Sequence, residues 1–254
     1  MRPAYKFMSV ELNLANKAEV LEAIDKATGE NSVQLATVNP EFILEAEKNT
    51  AFRKSLSQMT HAIIDGSGLF FMINLWEKIT SHTSFELYHG ADLVDDLLQA
   101  YQDGSKSFFL LGGPPELAKQ AAKAIKLRFP ESKIVGATDG GMIDPQNVQV
   151  DPILAAELEK ANPDIVLVGF GAPKQELWIS LAKNSLKIPV MIGVGGTFGF
   201  YTNKKRAPQI VRSLHLEWFS RVIHEKGHWK RALKAVIVFP THALWWMINK
   251  GLKR

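Results

Sequence analysis

Short apolar runs alternate along the first 200 residues with longer segments of helical periodicity. From the runs rich in β-branched and aromatic residues we predict strands at 33–38, 62–64, 107–111, 133–136, 165–169 and 190–194. The periodicity between them predicts helices at 41–57, 69–79, 92–101, 115–129, 152–160 and 174–183. Such alternation is typical of parallel strands joined by crossover helices. We therefore expect an α/β fold with a Rossmann-like, mostly parallel sheet and flanking helices.

Small and turn-forming residues follow five of the predicted strands. They read TVNP from Thr37, DGSG from Asp65, GGPP from Gly112, GFGAPKQE from Gly169 and GVGGT from Gly193. Ligands of open parallel sheets bind beyond the carboxyl ends of the strands, so these turns are the first candidates for a site. Free amides at helix starts attract anions, and three turns contain a proline at an expected first helical position, namely Pro40, Pro115 and Pro173. The alternative is that these are ordinary connections between strand and helix.

None of these turns matches a standard nucleotide-binding motif. The chain has no glycine-rich loop that ends in the Gly-Lys-Ser or Gly-Lys-Thr of a P-loop. The turn from Gly193 has Phe198 where the dinucleotide motif needs its third glycine. These features argue against a P-loop NTPase and against a dehydrogenase.

Asp65 is the carboxylate that this pattern singles out for chemistry. It follows an apolar strand and precedes Gly66, so we expect it at the crevice, as a general base. The alternative is that it caps the following helix. No Asp-x-Asp pair occurs, and the adjacent Asp95 and Asp96 lie within a helical pattern. If the substrate is a nucleotide diphosphate, arginine side chains would have to neutralise the leaving group.

Positive charge is concentrated near the end of the chain. Residues 203–254 contain 12 Lys/Arg and two Glu, whereas residues 1–202 contain 18 Lys/Arg and 24 Asp/Glu. Four of the six tryptophans also follow residue 202. A basic, Trp-rich segment suits an anionic, partly apolar surface. We therefore divide the chain into an α/β core, 1–202, and a basic, helical, membrane-associating appendage, 203–254.

The apolar stretch 235–248 of this appendage is interrupted by Pro240, Thr241 and His242 and is too short to span a bilayer. An interfacial segment is one interpretation. Another is a helix packed on the protein's own core or on a second subunit, which leaves a homo-oligomer open. We expect no nucleic-acid partner, because the aromatic residues cluster with aliphatic ones rather than alternating with the charges.

Residues 224–228 read HEKGH, which matches the H-E-x-x-H pattern of zinc hydrolases. That pattern needs both histidines on one helical face and a third ligand, and Gly227 is a poor helix residue. The alternative is a cationic stripe for an anion, formed by Arg221, His224, His228 and Arg231. We expect no metal site and no cofactor.

Composition and hydropathy also limit the cellular location. The chain has no cysteine, which excludes disulfides and thiolate zinc sites. Residues 1–13 lack the apolar run of a secretory leader, and no window reaches the roughly 18 uninterrupted apolar residues of a membrane span. We expect a cytoplasmic protein, peripheral on the inner face of the cell membrane.

Together the motifs resemble the WecG/TagA/CpsF family of bacterial glycosyltransferases. The blocks that carry the resemblance follow the family's order over nearly the whole chain: TVNP from Thr37, DG from Asp65, GADL from Gly90, 108–113, VGFGAPKQE from Val168, GGTF from Gly195, RAP from Arg206, and 217–221. The resemblance implies an inverting, metal-independent enzyme. It would move a sugar, typically N-acetylmannosamine, from a UDP-sugar to undecaprenyl-diphosphate-linked N-acetylglucosamine (GlcNAc) in teichoic-acid synthesis.

The resemblance also implies roles for individual residues. Asp65 would take the proton from the acceptor hydroxyl, while the sugars would lie against Thr37, Asn39 and Gln175. The nucleotide side would be lined by Gly112, Gly113, Gly195 and Gly196, and the diphosphates would meet Arg206, Arg221 and Arg231. The chain departs from the family pattern at 87–89, 203–205 and 226–228, which bears on the phosphate contacts and the donor sugar. A second hypothesis is a non-catalytic nucleotide-sugar or anion-binding module that its tail recruits to membranes.

Overall fold

Six parallel strands form the central sheet of the computed structural model, which describes residues 4–202 and 233–251. In chain order they are β3 (Val33–Val38), β4 (His61–Ile64), β5 (Ser107–Leu111), β6 (Lys133–Thr138), β7 (Ile165–Val168) and β8 (Val190–Gly193). Their order across the sheet is β4, β3, β8, β7, β5, β6, and each neighbouring pair is parallel. A separate antiparallel hairpin precedes them, formed by β1 (Tyr5–Phe7) and β2 (Val10–Leu12).

Helices cover both faces of the sheet. They are α1 (Lys17–Asp25), α2 (Pro40–Lys48), α3 (Thr50–Ser57), α4 (Ser67–Thr80), α5 (Gly90–Ala100), α6 (Leu117–Arg128), α7 (Pro152–Ala161) and α8 (Lys174–Ser185). One hydrophobic cluster joins α2, α3, α4, α7 and α8 to the sheet, and a second cluster joins α1, α5 and α6 to the opposite face. Strand side chains alternate between them, as with Leu110 in the second cluster and Leu111 in the first, which is the two-residue period of a strand. The predicted α/β architecture is therefore confirmed.

A crevice forms where the chain leaves the carboxyl ends of β3 and β8, which are neighbours in the sheet. After β3 the chain enters α2, whose Phe42 is buried in the first cluster. After β8 it enters a 3-10 helix, Gly195–Tyr201, whose Phe198 is buried in the second cluster. Because the two connections leave toward opposite faces of the sheet, the space between them stays open for a ligand.

All six predicted strands are present, but some helix predictions were wrong in detail. The predicted helix 41–57 is two helices, because Asn49 ends α2 and its side chain caps the first turn of α3. Pro40 is at the first position of α2, as predicted. Pro115 is not at a first position, since α6 begins at Leu117, and Pro173 is the residue before α8. The short strands β1 and β2 and the helix α1 were not predicted.

The described end of the chain packs on this core. A π-helical turn, Lys234–Val238, leads into α9 (Phe239–Gly251), which buries Phe239, Ala243 and Met247 in the first cluster. This matches the interpretation of 235–248 as a helix on the protein's own core. The division at residue 202 stays a prediction, because 203–232 lie outside the described residues. Within the described ranges, no helix combines the length and apolarity needed to cross a membrane.

Candidate active site

A cavity of about 670 Å³ opens at the carboxyl ends of β3, β4, β7 and β8. Its lining includes six of the residues predicted for the site: Thr37, Asn39, Asp65, Gln175, Gly195 and Gly196. These residues are far apart in the chain and meet because parallel strands end at the same edge of the sheet. The predicted strand-end crevice is therefore present in the structure.

Asp65 lies at the end of β4 with its side chain 28% exposed. Its Oδ1 accepts a hydrogen bond from the backbone amide of Gly90, the first residue of α5, at 2.9 Å. The Nδ1 atom of His89 lies 3.3 Å from the same oxygen. The side chain is not the cap of the following helix, because the N-cap residue of α4 is Gly66, which has no side chain to cap it. A carboxylate that is held by α5 and still reaches the cavity suits a general base.

His89 was not predicted as a site residue. It lines the cavity beside Asp65, and its ring also lies 3.2 Å from the Asp65 carbonyl oxygen. The departure from the family pattern at 87–89 is the sequence signal that could have identified it. In this chain the imidazole occupies a position from which it contacts the carboxylate directly, so His89 joins the candidate site.

Thr37 ties the two central strands together at the edge of the cavity. Its side chain is almost fully buried, and its hydroxyl donates to the Gly193 carbonyl oxygen at 2.8 Å. That bond joins the ends of β3 and β8 directly. The hydroxyl oxygen can still accept a hydrogen bond from a ligand.

Asn39 caps α2 as it lines the cavity. Its Oδ1 accepts from the amides of Glu41 at 2.9 Å and Phe42 at 3.3 Å. The oxygen is therefore committed to the helix start, a role for which Asn is strongly preferred. A ligand can use the Nδ2 donor of Asn39 without breaking the cap.

Gln175 connects two of the loops that form the cavity wall. It is 1% exposed, and its Oε1 accepts from the amides of Gly171 and Gly195, each at 3.0 Å. Gly171 follows β7 and Gly195 follows β8, so one side-chain oxygen sets the spacing of both loops. The Nε2 atom donates to Oε1 of Glu176 at 2.6 Å, which fixes the orientation of the amide.

Glu176 belongs to the VGFGAPKQE block, had no predicted role, and is a fully buried carboxyl group. Burial raises its pKa to about 8, against the smaller lowering effect of the hydrogen bond from Gln175. Within residues 4–202 and 233–251, its Oε2 has no hydrogen-bond partner. Residue 193 must be glycine beside this pair, because an added Cβ would lie 2.7 Å from the Gln175 nitrogen and 2.8 Å from the Glu176 oxygen.

The four predicted nucleotide-side glycines fall into two groups. Gly195 and Gly196 line the cavity, and a Cβ at either position would point into open space. Gly112 and Gly113 follow β5, which lies two strands away from β8, and they are not in this lining. Gly112 has φ +107, and a Cβ there would lie 2.8 Å from the Gly169 carbonyl carbon, so close packing on the neighbouring strand accounts for this glycine.

Acidic groups outnumber basic ones in the described lining of the cavity. Carboxylates come from Glu41, Glu45, Glu47 and Asp65, and ammonium groups from Lys48 and Lys234. Lys234, with Val238 and His242, comes from the last described segment, so that segment forms part of the wall. The predicted phosphate contacts Arg206, Arg221 and Arg231 and the HEKGH motif lie outside the described residues. Within 4–202 and 233–251, no three His, Asp or Glu side chains are grouped to hold a metal ion.

Comparison with known proteins gives a consistent match. Residues 5–253 match the Glycosyl transferase WecG/TagA/CpsF family. A Bacillus subtilis (strain 168) protein named N-acetylglucosaminyldiphosphoundecaprenol N-acetyl-beta-D-mannosaminyltransferase is 32% identical over 238 residues, which cover 92% of this chain and 86% of that protein. A Staphylococcus aureus (strain MRSA252) protein of the same name is 32% identical over 212 residues, or 82% of this chain and 78% of that protein.

Proposed function

This chain belongs to the WecG/TagA/CpsF family of glycosyl transferases, and from that premise we propose that it transfers N-acetylmannosamine from a UDP-sugar to GlcNAc on undecaprenyl diphosphate. The names of the two relatives support this donor sugar and acceptor. We also propose that the reaction serves teichoic-acid synthesis, as the resemblance to the family implies. The observation that carries the proposal is the position of Asp65. Its carboxylate is oriented by the Gly90 amide and lines a cavity whose volume, about 670 Å³, lies in the range of small-molecule sites.

In the proposed reaction, Asp65 removes the proton from the acceptor hydroxyl as that oxygen attacks the anomeric carbon of the donor sugar. The new glycosidic bond forms as the bond between the anomeric carbon and the UDP oxygen breaks. UDP leaves with the electron pair, and the configuration at the anomeric carbon inverts. Thr37 and Asn39 would meet the sugars through the hydroxyl oxygen and the Nδ2 donor that their own hydrogen bonds leave available.

The diphosphate needs more positive charge than the described lining provides, because carboxylates outnumber lysines there. We propose that Arg206, Arg221 and Arg231 supply it, since guanidinium groups match phosphate oxygens and need no metal. Lys234 lines the cavity and would be a further cation for the diphosphate. Gln175 would act mainly by holding the loops that carry Gly171 and Gly195.

We also propose that the protein works at the inner face of the cell membrane. Its acceptor would be lipid-linked, and residues 203–254 combine 12 Lys/Arg with only two Glu. A segment of that composition is attracted to anionic headgroups. The enzyme would then be a peripheral protein that meets its acceptor at the membrane surface.

Incubation with UDP-N-acetylmannosamine and a short-chain lipid-diphosphate-GlcNAc analogue tests the proposal. We expect release of UDP and a disaccharide-lipid product, with undiminished rate in EDTA. Asp65→Asn should give almost no product, whereas Asp103→Asn should match the wild type, because Asp103 is a surface residue that only caps the turn at Ser105. Binding of the UDP-sugar by the wild type without any transfer would instead favour a non-catalytic binding module.

A further inference from the structure

α4 and α9 lie side by side, and each has large apolar side chains on its outer surface. The Trp76 and Trp246 rings join the two helices, with centroids 4.9 Å apart. Beside this contact lie exposed apolar residues, here called the two-helix apolar face. They are Leu75 (41% exposed) and Ile79 (66%) on α4, and Leu244 (44%), Trp245 (70%) and Ile248 (62%) on α9.

The two-helix apolar face is not the side of either helix that packs on the core. In α4 the core side is formed by Leu69, Met72 and Ile73, and in α9 by Phe239, Ala243 and Met247. Both helices are therefore apolar on two sides, which is unusual for a helix with one face in water. Single exposed leucines are ordinary, but a cluster on two contacting helices marks an interaction surface.

The charges beside this face fit an anionic partner. Lys78 and Lys250 are exposed on α4 and α9, and the Lys250 ammonium lies 5.9 Å from the Trp246 ring centroid. The one acidic residue on these helices, Glu77, is buried, and it accepts hydrogen bonds from the hydroxyls of Tyr5 and Ser81. A second copy using the same face would bring lysines together without a carboxylate between them. Acidic lipid headgroups above an apolar layer match both features.

We propose that the two-helix apolar face inserts into the surface of an anionic bilayer, and that α4 contributes to this docking together with the C-terminal segment. The significance of this surface rests on the proposed function, because it places the cavity relative to the acceptor. Val238 and His242 line the cavity within one to two turns of Leu244 and Trp245. Docking through this face would therefore hold the cavity near the headgroups, where a lipid-linked diphosphate-sugar is presented.

Flotation of the full chain with vesicles tests this surface. Wild type should bind vesicles of phosphatidylglycerol and phosphatidylcholine, and bind pure phosphatidylcholine more weakly. Leu75→Glu/Ile79→Glu should lower the partition coefficient by roughly tenfold or more, as should Trp245→Glu/Ile248→Glu. The matched control is Leu127→Glu/Ile153→Glu, which changes residues that are 85% and 81% exposed on α6 and α7. The control should bind as the wild type does.

Further measurements keep the test decisive. Ile79→Ser, a single change at a 66% exposed position, should keep the wild-type circular dichroism spectrum and still weaken binding. The proposal would be overturned if both α4 variants bound vesicles as strongly as the wild type does. It would also be overturned if the wild type sedimented as a dimer that these changes convert to a monomer without affecting vesicle binding. Turnover on the water-soluble acceptor analogue should be unchanged in the α4 variants. If the wild type floats but transfers no sugar, the proposed function fails while the docking surface stands.

Discussion

Asp65 and Glu176 are two carboxyl groups whose surroundings differ sharply: Asp65 lines the cavity, whereas Glu176 is hydrogen-bonded to the lining residue Gln175. Asp65 follows β4, is 28% exposed and is oriented by the first amide of α5. Glu176 lies in the first turn of α8 and is fully buried, and one of its oxygens has no hydrogen-bond partner among the described residues. The first group can reach a substrate, whereas the second can only act on Gln175 and, through it, on the loops after β7 and β8. Burial thus separates a candidate base from a structural group of nearly the same chemistry.

The largest difference between Asp65 and Glu176 should appear in the effect of substitution on turnover. Asp65→Asn keeps an oxygen for the Gly90 amide but cannot take a proton, so kcat should fall by about 10²- to 10⁴-fold. The free energy of unfolding should change by less than about 1 kcal/mol, since the hydrogen bond survives. Steady-state kinetics and urea unfolding of the same sample measure both. A variant with wild-type kcat would remove Asp65 from the base role.

Gln175→Ala should affect mainly stability and substrate binding. It leaves the part-buried amides of Gly171 and Gly195 without their acceptor, and an unsatisfied amide costs about 1–3 kcal/mol when it is buried. We expect the free energy of unfolding to fall by about 2–4 kcal/mol for the two amides together. KM for the UDP-sugar should rise, because the two loops lose their spacing. Gln120→Ala, on the exposed surface of α6, is the control and should change neither quantity. An unaltered KM in Gln175→Ala would show that the loops keep their positions without the brace.

Glu176→Gln should remove a pH dependence of stability. The folded-state pKa of Glu176 is raised to about 8, so between the ordinary pKa of glutamate and about pH 8 the folded state binds more protons than the unfolded state. The stability of the wild type should therefore decrease as the pH rises through this window, by up to about 1.4 kcal/mol per pH unit. The glutamine variant keeps the shape without the ionisation, so its unfolding free energy should lack this component. Parallel slopes in urea titrations from pH 5 to pH 9 would contradict this explanation.

Asn39→Ala should lower the free energy of unfolding by less than Gln175→Ala does. Loss of the α2 cap costs about 1 kcal/mol. Asn49→Ala is a matched control, because Asn49 caps α3 by accepting from the Phe52 amide at 3.0 Å and does not line the cavity. Both variants should lose similar stability, but only Asn39→Ala should raise KM for a sugar substrate. Equal kinetics in the two variants would reduce Asn39 to a helix cap.

Most of the sheet strands could be predicted because buried parallel strands are near-continuous apolar runs. β3 and β5 match their predicted bounds, and both are buried along their whole length. The strands β1 and β2 were missed because three residues are too few to show a two-residue period. For α1 a signal was present: Asn16 and Glu19 form a capping box, a pattern that marks a helix start.

The site could be predicted from the sequence only where its residues lie at or directly after the end of a strand. The position of Asp65 after an apolar strand singled it out, whereas the roles of Thr37, Asn39 and Gln175 came from the resemblance to the family, although these residues belong to the same strand-end turns. The positions of Gly112 and Gly113 depend on strand order, and β5 lies two strands from β8. Strand order arises from long-range pairing and the direction of each crossover, which the local pattern does not encode.

By itself, therefore, the sequence determined the α/β class, the six sheet strands and the residues at their carboxyl ends, because each depends on the hydrophobicity of a few neighbouring positions. Only the tertiary structure decided how those ends are used. It placed His89 and the Gly90 amide on Asp65, buried Glu176 behind Gln175, and seated α9 against α4. These outcomes depend on which distant segments share a surface and exclude water, and burial then gives two similar carboxyl groups different roles.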